Sequence, residues 1–281
     1  MKSQTVPPPI RSFASGLDHP EGLAFDRHGN LWAGGEAGQI YRISPDGKKV
    51  VAVAETGGFN LGLAFSPEGW LVICDGRGAR LWRLEPDTLK LTVFAATSGG
   101  QPLTGMNFPV FDRSGFLYAS ENGTWGKRNG VVHRFAPHGS GEPWLRGISF
   151  ANGLALDAAE TALYVVQSTK DNVLRVPVRP DNSAGRADVF VEGVGSVPDG
   201  LAFDTDGFLY VSCYGDNHIW RVSPRGKKSL FAGDPSSILL NRATNVAFGG
   251  PGRRTLFVAN LGGWHIAKIK TSFAGQPLAG G

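Results

Sequence analysis

The chain contains 281 residues and has a formal net charge of +4, from 28 basic and 24 acidic side chains. Its 40 glycines and 18 prolines exceed average usage, and this argues against a mainly helical protein, because each glycine inside a helix costs about 1 kcal/mol relative to alanine. The basic residues are scattered, in clusters no longer than pairs such as Lys48-Lys49, so the concentrated basic surface that nucleic-acid binding needs is not expected.

A repeat organises the predicted elements along the chain. The pentapeptide Gly-Leu-Ala-Phe-Asp at 22–26 recurs, with variation, at intervals of about 45 residues. Further copies lie at 62–66, 108–112, 153–157 and 200–204, with a degraded copy at 245–248. A period of this length fits four strands and their turns, which is one blade of a β-propeller.

Three further strands are predicted after each copy. The second is apolar or aromatic, at 31–33, 71–73, 117–119, 163–165, 209–211 and 256–258. The third alternates and often carries an arginine, at 40–43, 81–84, 132–135 and 219–222. The fourth is short, at 51–54, 92–95, 142–145, 188–191 and 229–232. Alternation with a period of two is typical of half-buried strands, so the pattern predicts an all-β, six-bladed propeller with four-stranded blades.

The sixth repeat lacks its fourth strand, and the missing strand is predicted at the other end of the chain. Residues 11–16, Arg-Ser-Phe-Ala-Ser-Gly, read like 229–233, Ser-Leu-Phe-Ala-Gly. The N-terminal strand is therefore predicted to complete the last blade and close the ring, which removes a free strand edge. We predict one propeller domain over 1–281, with a flexible N-terminal extension at 1–9 and a C-terminal tail at 271–281. A two-sheet β-sandwich with coincidental repetition is the alternative.

The residue before each inner strand is predicted to lie at one mouth of the central channel, because the first strand of each blade lines that channel. Four of these six residues are carboxylates or amides, whose oxygens suit a hard divalent cation such as Ca²⁺. Taken singly, each would also serve as a strand cap or a turn residue. The six are Glu21, Leu61, Asn107, Asn152, Asp199 and Thr244.

At these residues the chain resembles the senescence marker protein/gluconolactonase family, the regucalcin-like six-bladed propellers. The resemblance extends from Arg11 to Ile269. Four phrases carry it: His19-Pro20-Glu21-Gly22, Asn107-Phe108-Pro109, Phe150-Ala151-Asn152-Gly153-Leu154 and Pro198-Asp199-Gly200-Leu201.

The resemblance implies a metal-dependent hydrolase of a lactone or related ester. It implies one divalent cation held by Glu21, Asn152 and Asp199, while the position of Asn107 binds metal or substrate. Ca²⁺ is the first candidate, and Mg²⁺, Mn²⁺ and Zn²⁺ are the others. Similar propellers, such as diisopropyl fluorophosphatase and paraoxonase, hydrolyse organophosphates or other lactones. Sugar-lactonase members carry an arginine where this chain has Gly105 and Met106, so a less hydroxylated lactone or ester is a second candidate substrate.

Two carboxylates, Asp199 and Glu121, are candidates for the catalytic base or nucleophile beside a carbonyl that the cation polarises. Glu121 ends the second strand of blade three and is predicted on the same face as the metal ring. Its equivalents are Gly35, Asp75, Gln167, Cys213 and Asn260, which are predicted to wall the pocket. Trp125, Tyr214 and Trp264 follow these positions. For Glu121 and Asp75 the alternative is a solvated loop charge. The predicted substrate pocket contains Asn107, Glu121, Asp75, Trp125, Tyr214 and His265.

The two cysteines, Cys74 and Cys213, fall in blades two and five, opposite each other in the ring, so a disulfide is not expected. The first ten residues lack the apolar stretch of a signal peptide, and no long apolar run predicts a transmembrane helix. We therefore expect a cytoplasmic enzyme with a small-molecule substrate and with neither nucleic acid nor membrane as partner. Three other functions stay open: a metal-free strictosidine synthase-like enzyme, an organophosphate hydrolase and a non-enzymatic binding propeller.

Overall fold

The repeat folds into six four-stranded antiparallel sheets, which are the blades of a propeller. The structure is a computed structural model that describes residues 8–280. In five blades the strands follow chain order from the innermost to the outermost, and the sixth has the order β1-β26-β25-β24. The predicted all-β, six-bladed propeller is therefore confirmed.

The strands have the following bounds. The first strand, β1, is Ile10–Ser15. Blade one contains β2 (Leu23–Phe25), β3 (Leu31–Gly34), β4 (Gln39–Ile43) and β5 (Val50–Glu55). Blade two contains β6 (Asn60–Phe65), β7 (Leu71–Asp75), β8 (Arg80–Leu84) and β9 (Leu91–Ala95). A two-stranded hairpin follows, formed by β10 (Thr97–Ser98) and β11 (Gln101–Pro102).

The remaining blades follow in the same way. Blade three contains β12 (Met106–Phe111), β13 (Leu117–Glu121), β14 (Gly130–Phe135) and β15 (Gly141–Ile148). Blade four contains β16 (Ala151–Leu156), β17 (Ala162–Gln167), β18 (Asn172–Pro177) and β19 (Asp188–Glu192). Blade five contains β20 (Pro198–Phe203), β21 (Leu209–Cys213), β22 (His218–Val222) and β23 (Lys228–Gly233). Blade six contains β24 (Ala243–Gly249), β25 (Thr255–Asn260) and β26 (His265–Lys270). Two 3₁₀ helices are Ser168–Lys170 and Pro251–Arg253.

The N-terminal strand closes the ring as predicted. β1 pairs antiparallel with β26, in a register that places Ile10 opposite Ile269 and Ser15 opposite His265. Since β26 is the third strand of the last blade, β1 supplies the fourth. Both ends of the chain therefore contribute to one sheet, and the outer edge of β26 is covered.

An aspartate after each of several inner strands fixes the turn that follows. The Asp204 Oδ1 atom accepts hydrogen bonds from the backbone amides of Asp206 and Phe208, at 3.0 and 2.9 Å. Asp26 accepts in the same way from the amides of His28 and Asn30, both at 2.9 Å. The carboxylate accepts hydrogen bonds from the backbone amides two and four residues later. It thereby replaces the acceptors that these amides lose where the chain reverses direction. These turns lie where the inner strands end, on what we call the distal face; the proximal face is the one where inner strands begin.

Glycines at the start of inner strands allow neighbouring blades to approach closely around the channel. A Cβ atom added at Gly22 would overlap the carbonyl oxygen of Leu61, and one added at Gly153 would overlap that of Asp199. The next blade therefore leaves no room for a side chain at these two positions.

The distal end of the channel holds a cavity of about 270 Å³, lined by apolar side chains such as Ala24, Ala155 and Phe203. The predicted C-terminal tail lies against this end: the backbone amide of Gln276 donates to Phe203 O at 2.9 Å, and its side chain donates to Leu156 O at 3.1 Å. Residues 1–7 of the predicted N-terminal extension are outside the described part of the chain. Neither 3₁₀ helix within 8–280 approaches the length and apolar character that a membrane span requires.

Candidate metal site and channel mouth

The polar residues predicted at the channel mouth are buried at the starts of the inner strands. Glu21 is 3% exposed, Asn107 5%, Asn152 4% and Asp199 6%. Asn107, Asn152 and Asp199 are the second residues of β12, β16 and β20, and Glu21 lies two residues before Leu23, the first residue of β2. The propeller symmetry therefore brings residues that are far apart in sequence to one end of a narrow channel.

Three of these four side chains carry an oxygen with nothing to bind. Glu21 Oε2, Asn107 Oδ1 and Asn152 Oδ1 are buried and have no hydrogen-bond partner within residues 8–280. A buried polar atom without a partner costs about 1–3 kcal/mol, so native proteins rarely keep several at one place. Carboxylate and amide oxygens are the ligands that hard divalent cations prefer. The donor set and its three unpartnered oxygens fit such a cation.

The two carboxylates of the ring, Glu21 and Asp199, influence each other's ionisation. Burial, and after it the negative charge of Asp199, raise the pKa of Glu21 well above its ordinary value. Burial also raises the pKa of Asp199 well above its ordinary value, and a hydrogen bond from Asn152 opposes this only in part. A positive charge between two such buried carboxylates would favour the ionised form of both.

Neighbouring groups orient the ring. The Asn152 amide nitrogen donates to Ser168 Oγ at 3.2 Å, and this hydroxyl donates to Pro198 O at 2.7 Å. Because the nitrogen of Asn152 is held by this bond, its oxygen is directed elsewhere. Thr244, which occupies the ring position in blade six, donates from Oγ1 to Glu21 O at 2.9 Å and so joins blade six to blade one at the site.

The ring contains two carboxylates and two amides, which distinguishes it from sites rich in histidine, cysteine and acid. Within the described residues, no group of three or more His, Cys, Asp or Glu side chains has an arrangement that could hold a metal ion. A cation at this ring would therefore depend on the two amide oxygens and on water for the rest of its coordination.

Glu121 lies at the end of β13 with its side chain 14% exposed. Side chains from the neighbouring strand and the preceding loop bond it: Oε2 contacts His133 Nε2 at 3.0 Å, and Oε1 accepts from the Thr104 hydroxyl. Burial acts to raise the pKa of Glu121, but the hydrogen bonds from His133 and Thr104 outweigh it and leave the pKa below the ordinary value. Glu121 is therefore an ionised carboxylate at neutral pH.

Asp75 occupies the same repeat position in blade two but is used differently. It is 1% exposed, and its oxygens accept from the backbone amides of Phe59 and Gly78, at 3.1 and 2.7 Å, and from Trp82 Nε1 at 3.1 Å. These bonds brace two loops of blade two. The structure thus gives Asp75 a loop-bracing position inside the protein, in contrast to the partly open position of Glu121.

Three other residues at this position also bond nearby loops. Gln167 Oε1 accepts from the Ser149 amide at 2.9 Å, Cys213 Sγ donates to Val194 O at 2.6 Å, and Asn260 Oδ1 accepts from the Asn241 amide at 2.9 Å. Both cysteines are buried free thiols, and burial raises the pKa of each well above its ordinary value. Neither thiol is suited to act as a nucleophile at neutral pH.

Aromatic side chains stand on the proximal loops. Trp125 is 56% exposed and packs edge-to-face on Phe150, with ring centroids 4.8 Å apart. Trp264 is 60% exposed and lies 4.9 Å from the His19 ring. Blades three and six, which carry these tryptophans, are opposite each other in a ring of six. Large exposed aromatic groups on one face are typical of a binding surface.

The last two predicted pocket residues contact loops of the proximal face. Tyr214 OH accepts from Arg242 Nη1 at 2.6 Å, and the Arg242 guanidinium lies 4.9 Å from the centre of the Tyr214 ring. His265 Nε2 lies 3.1 Å from Leu239 O, with which it forms a hydrogen bond. Both side chains therefore help to fix the loop at 234–242.

Ser98, Thr104 and His133 surround Glu121 but are not among the site residues predicted from the sequence. His133 is predicted only as part of a strand. Its signal was visible in the repeat, because the equivalent residues in blades one, two and five are aromatic: Tyr41, Trp82 and Trp220. A histidine in their place marks a position where hydrogen bonding replaces packing.

Known proteins are similar to this one over nearly the whole chain. A family model described as the SMP-30/Gluconolactonase/LRE-like region matches residues 51–261. A second, described as strictosidine synthase-like, N-terminal, matches residues 14–43. The gluconolactonase of Zymomonas mobilis is 25% identical over 308 residues, covering 96% of this chain and 83% of the relative. Protein STRICTOSIDINE SYNTHASE-LIKE 6 of Arabidopsis thaliana is 24% identical over 285 residues, covering 94% and 70%.

Among solved structures, the calcium-binding protein regucalcin of Agrobacterium tumefaciens superimposes with a TM-score of 0.79 at 20% identity, covering 97% of this chain and 98% of regucalcin. That likeness concerns the fold. The family model covers most of the chain, including three of the four ring residues and Glu121. The chain belongs to the SMP-30/gluconolactonase/LRE-like family.

Proposed function

We propose that this protein is a divalent-metal-dependent hydrolase of a lactone or related ester, with its active site at the proximal mouth of the channel. Three unpartnered buried oxygens, on Glu21, Asn107 and Asn152, carry this proposal. The similarity to a gluconolactonase over nearly the whole chain supports the lactone as substrate class. Lactones are cyclic esters, so hydrolysis breaks the bond between the carbonyl carbon and the ring oxygen and releases a hydroxy acid.

Glu21, Asn107, Asn152 and Asp199 would hold the cation, with Ca²⁺ the first candidate and Mg²⁺, Mn²⁺ or Zn²⁺ the others. The calcium-binding regucalcin neighbour supports Ca²⁺, and so does an all-oxygen donor set. When bound, such a cation supplies a Lewis acid that polarises an ester carbonyl and stabilises the charge developing on its oxygen. Without that positive charge, burial holds the pKa values of Glu21 and Asp199 above their ordinary values.

The two candidate catalytic carboxylates differ in what they can do. Glu121 is ionised, is partly open to the channel mouth and has oxygen lone pairs left after bonding His133 and Thr104. It fits the group that accepts a proton from the attacking water. Asp199 is buried in the ring and fits a ligand that also lies next to the reacting carbonyl, where it is the candidate nucleophile.

The substrate pocket would consist of Asn107 and Glu121 at the base and of Trp125, Tyr214 and His265 on the proximal loops. Exposed tryptophans on opposite sides of the mouth favour a substrate with an apolar face. The absence of an arginine before Asn107, where Gly105 and Met106 stand, points in the same direction. We therefore propose weakly hydroxylated lactones as a candidate substrate class beside the sugar lactones.

A lactone panel tests this function when it is combined with metal analysis of two variants. Asp199→Asn should lose both the bound cation and activity, because it removes a charged ligand. Glu121→Gln should keep the cation, measured by elemental analysis, and lose most activity, because it removes only the proton acceptor. Bound metal and full turnover in both variants would overturn the proposal.

The short match to a strictosidine synthase-like region favours one rival, a metal-free propeller enzyme of that kind. The same elemental analysis separates the two functions. A purified protein that neither contains nor takes up a divalent cation, and that hydrolyses no lactone, would favour the rival.

A further inference from the structure

A network of four side chains lies beneath the channel mouth in blade three. His133 Nδ1 is 2.8 Å from Ser98 Oγ, and His133 Nε2 is 3.0 Å from Glu121 Oε2. The other carboxylate oxygen of Glu121 accepts from Thr104. Ser98 is 3% exposed and His133 6%, so water does not compete for the two bonds of the imidazole.

The sheet register explains how His133 reaches Glu121. His133 on β14 is directly opposite Ala119 on β13. Glu121 lies two residues beyond Ala119 and therefore points to the same face of the sheet. The small Ala119 side chain leaves room for the imidazole to extend towards the carboxylate. Both groups consequently meet at the proximal end of the interface between blades two and three.

The hydrogen-bond chemistry gives the network a direction. An ionised carboxylate can only accept, so Nε2 of His133 carries the proton that Glu121 binds. In a neutral imidazole Nδ1 is then an acceptor, and it receives the Ser98 hydroxyl proton. His133 and Thr104 thus donate to the Glu121 carboxylate and stabilise its negative charge, and Ser98 donates to the imidazole that holds it.

One connection supplies both outer members of the network. Ser98 and Thr104 lie on the segment between blades two and three that contains the β10–β11 hairpin. Leu103 anchors this segment in the core and is 4% exposed. The Gly99 amide donates to Gly141 O at 2.8 Å, and the Asn122 amide donates to Gly105 O at 3.1 Å. The segment is therefore tied to blade three at two points.

Blade two shows what the same repeat position does without this network. There Trp82 donates from Nε1 to Asp75, and backbone amides satisfy the rest of the carboxylate. An indole has one donor and no acceptor, so it cannot link a carboxylate to a further group. Histidine can, and in blade three it leaves Glu121 bonded by side chains and partly open.

We propose that His133, oriented by Ser98, is a positioning residue that holds the Glu121 carboxylate in its reactive orientation at the channel mouth. The inference rests on the proposed function, in which Glu121 accepts a proton. Its physical basis is that a base must lie within hydrogen-bond reach of the proton it takes, and a small displacement costs a large factor in rate.

Two substitutions of similar size separate positioning from mere packing. A glutamine at 133 places an amide nitrogen near the position of Nε2, whereas an asparagine reaches only the position of Nδ1 and Ser98. We expect His133→Gln to retain most of kcat. His133→Asn should lower kcat about 10- to 100-fold with a small change in KM. Ser98→Ala should have an intermediate effect, and Trp82→Phe, the blade-two control, should leave kcat unchanged.

A double-mutant cycle completes the kinetic test. His133→Asn should cost little further rate in a protein that already carries Glu121→Gln, because the positioned carboxylate is gone. Equal kcat for the Asn and Gln variants, or additive losses in the double mutant, would overturn the inference while leaving lactone hydrolysis by the wild type intact. A wild type without lactonase activity would instead overturn the proposed function.

NMR of the imidazole nitrogens gives a readout that needs no turnover and no folded variant at 133. The wild-type protein should show a proton on Nε2 of His133. A ring with a proton on Nδ1 and none on Nε2 would contradict the network, because Nε2 would then have no proton to give to Glu121.

Discussion

Arg221 donates a hydrogen bond from Nη2 to Asp204 Oδ2 across 3.0 Å, joining the third strand of blade five to the turn after its inner strand. The Asp204 side chain is fully buried, and the Arg221 guanidinium lies 3.5 Å from the centre of the Phe208 ring. Blade three repeats the arrangement with Arg134 and Asp112, at 3.5 Å. In these two blades the arginine of the third strand therefore secures the distal turn.

Asp204→Ala should lower the free energy of unfolding by about 2–4 kcal/mol, because it leaves Arg221 and two backbone amides without their hydrogen-bond acceptor. Asp157→Ala is the matched control in blade four, where the carboxylate bonds the exposed Thr161 amide and hydroxyl. It should cost less than about 1.5 kcal/mol. Urea denaturation of both variants measures the difference, and equal losses would contradict the role of the arginine pair.

The sequence repeat predicted these elements but not their partnerships. Arginine was visible in the third strands and aspartate after the inner strands, yet their pairing depends on how a turn folds back on the sheet. In the same way, Asp75 and Glu121 share one repeat position. Their different surroundings come from Trp82 and His133 on the third strands and from the loops, which the repeat does not constrain. Ser98 lies on a hairpin inserted between blades, so no periodic signal connected it with His133.

The ring residues, by contrast, could be predicted because the repeat itself determines where they lie. Glu21, Asn107, Asn152 and Asp199 are brought together by the symmetry that the repeat encodes, so their burial at one mouth of the channel followed once the blades were aligned. The glycines next to Glu21 and Asn152 have a steric cause, which is the close approach of the neighbouring blade.

Gly153→Ala tests the close approach beside the ring. The added methyl group would overlap the carbonyl oxygen of Asp199, so two blades must separate. We expect a loss of about 2–4 kcal/mol in stability, together with weaker cation binding, because overpacking shifts the backbone of both Asn152 and Asp199. Gly105→Ala has open space around its Cβ position and serves as the control. A Gly153→Ala protein as stable as Gly105→Ala would contradict the crowding.

Asp234 gives the fold a pH dependence in acid. Burial acts to raise its pKa, but hydrogen bonds from Ser236 and from the amides of Leu239, Leu240 and Ile238 lower it to about 2. In the unfolded chain the pKa is about 3.9. The stabilisation is therefore complete above about pH 4 and is lost as the pH falls towards 2, because the unfolded state binds the proton first.

The Asp234→Asn variant should be less stable at neutral pH and should lose stability less steeply below about pH 4. Urea denaturation at a series of pH values compares the slopes of the two proteins. Superimposable slopes would show that Asp234 does not contribute the acid dependence.

Trp125→Ala and Trp264→Ala test the proximal aromatic groups. Both side chains are more than half exposed, so stability should change by less than about 0.5 kcal/mol. For an apolar lactone we expect KM to rise about fivefold per variant, which corresponds to about 1 kcal/mol of lost contact. Val93→Ala on the outer strand β9, 48% exposed, is the control. Unchanged KM values for every lactone would place the substrate away from these loops.

The most direct measurement is a calcium titration of chelator-treated protein in which bound ion and lactone hydrolysis are followed in the same samples. We expect negligible hydrolysis without cation and recovery that saturates at one ion per chain. Glu21→Gln should shift both curves together to higher calcium concentration. Full hydrolysis by the metal-free protein would contradict the assignment of the Glu21, Asn107, Asn152 and Asp199 ring as a catalytic metal site.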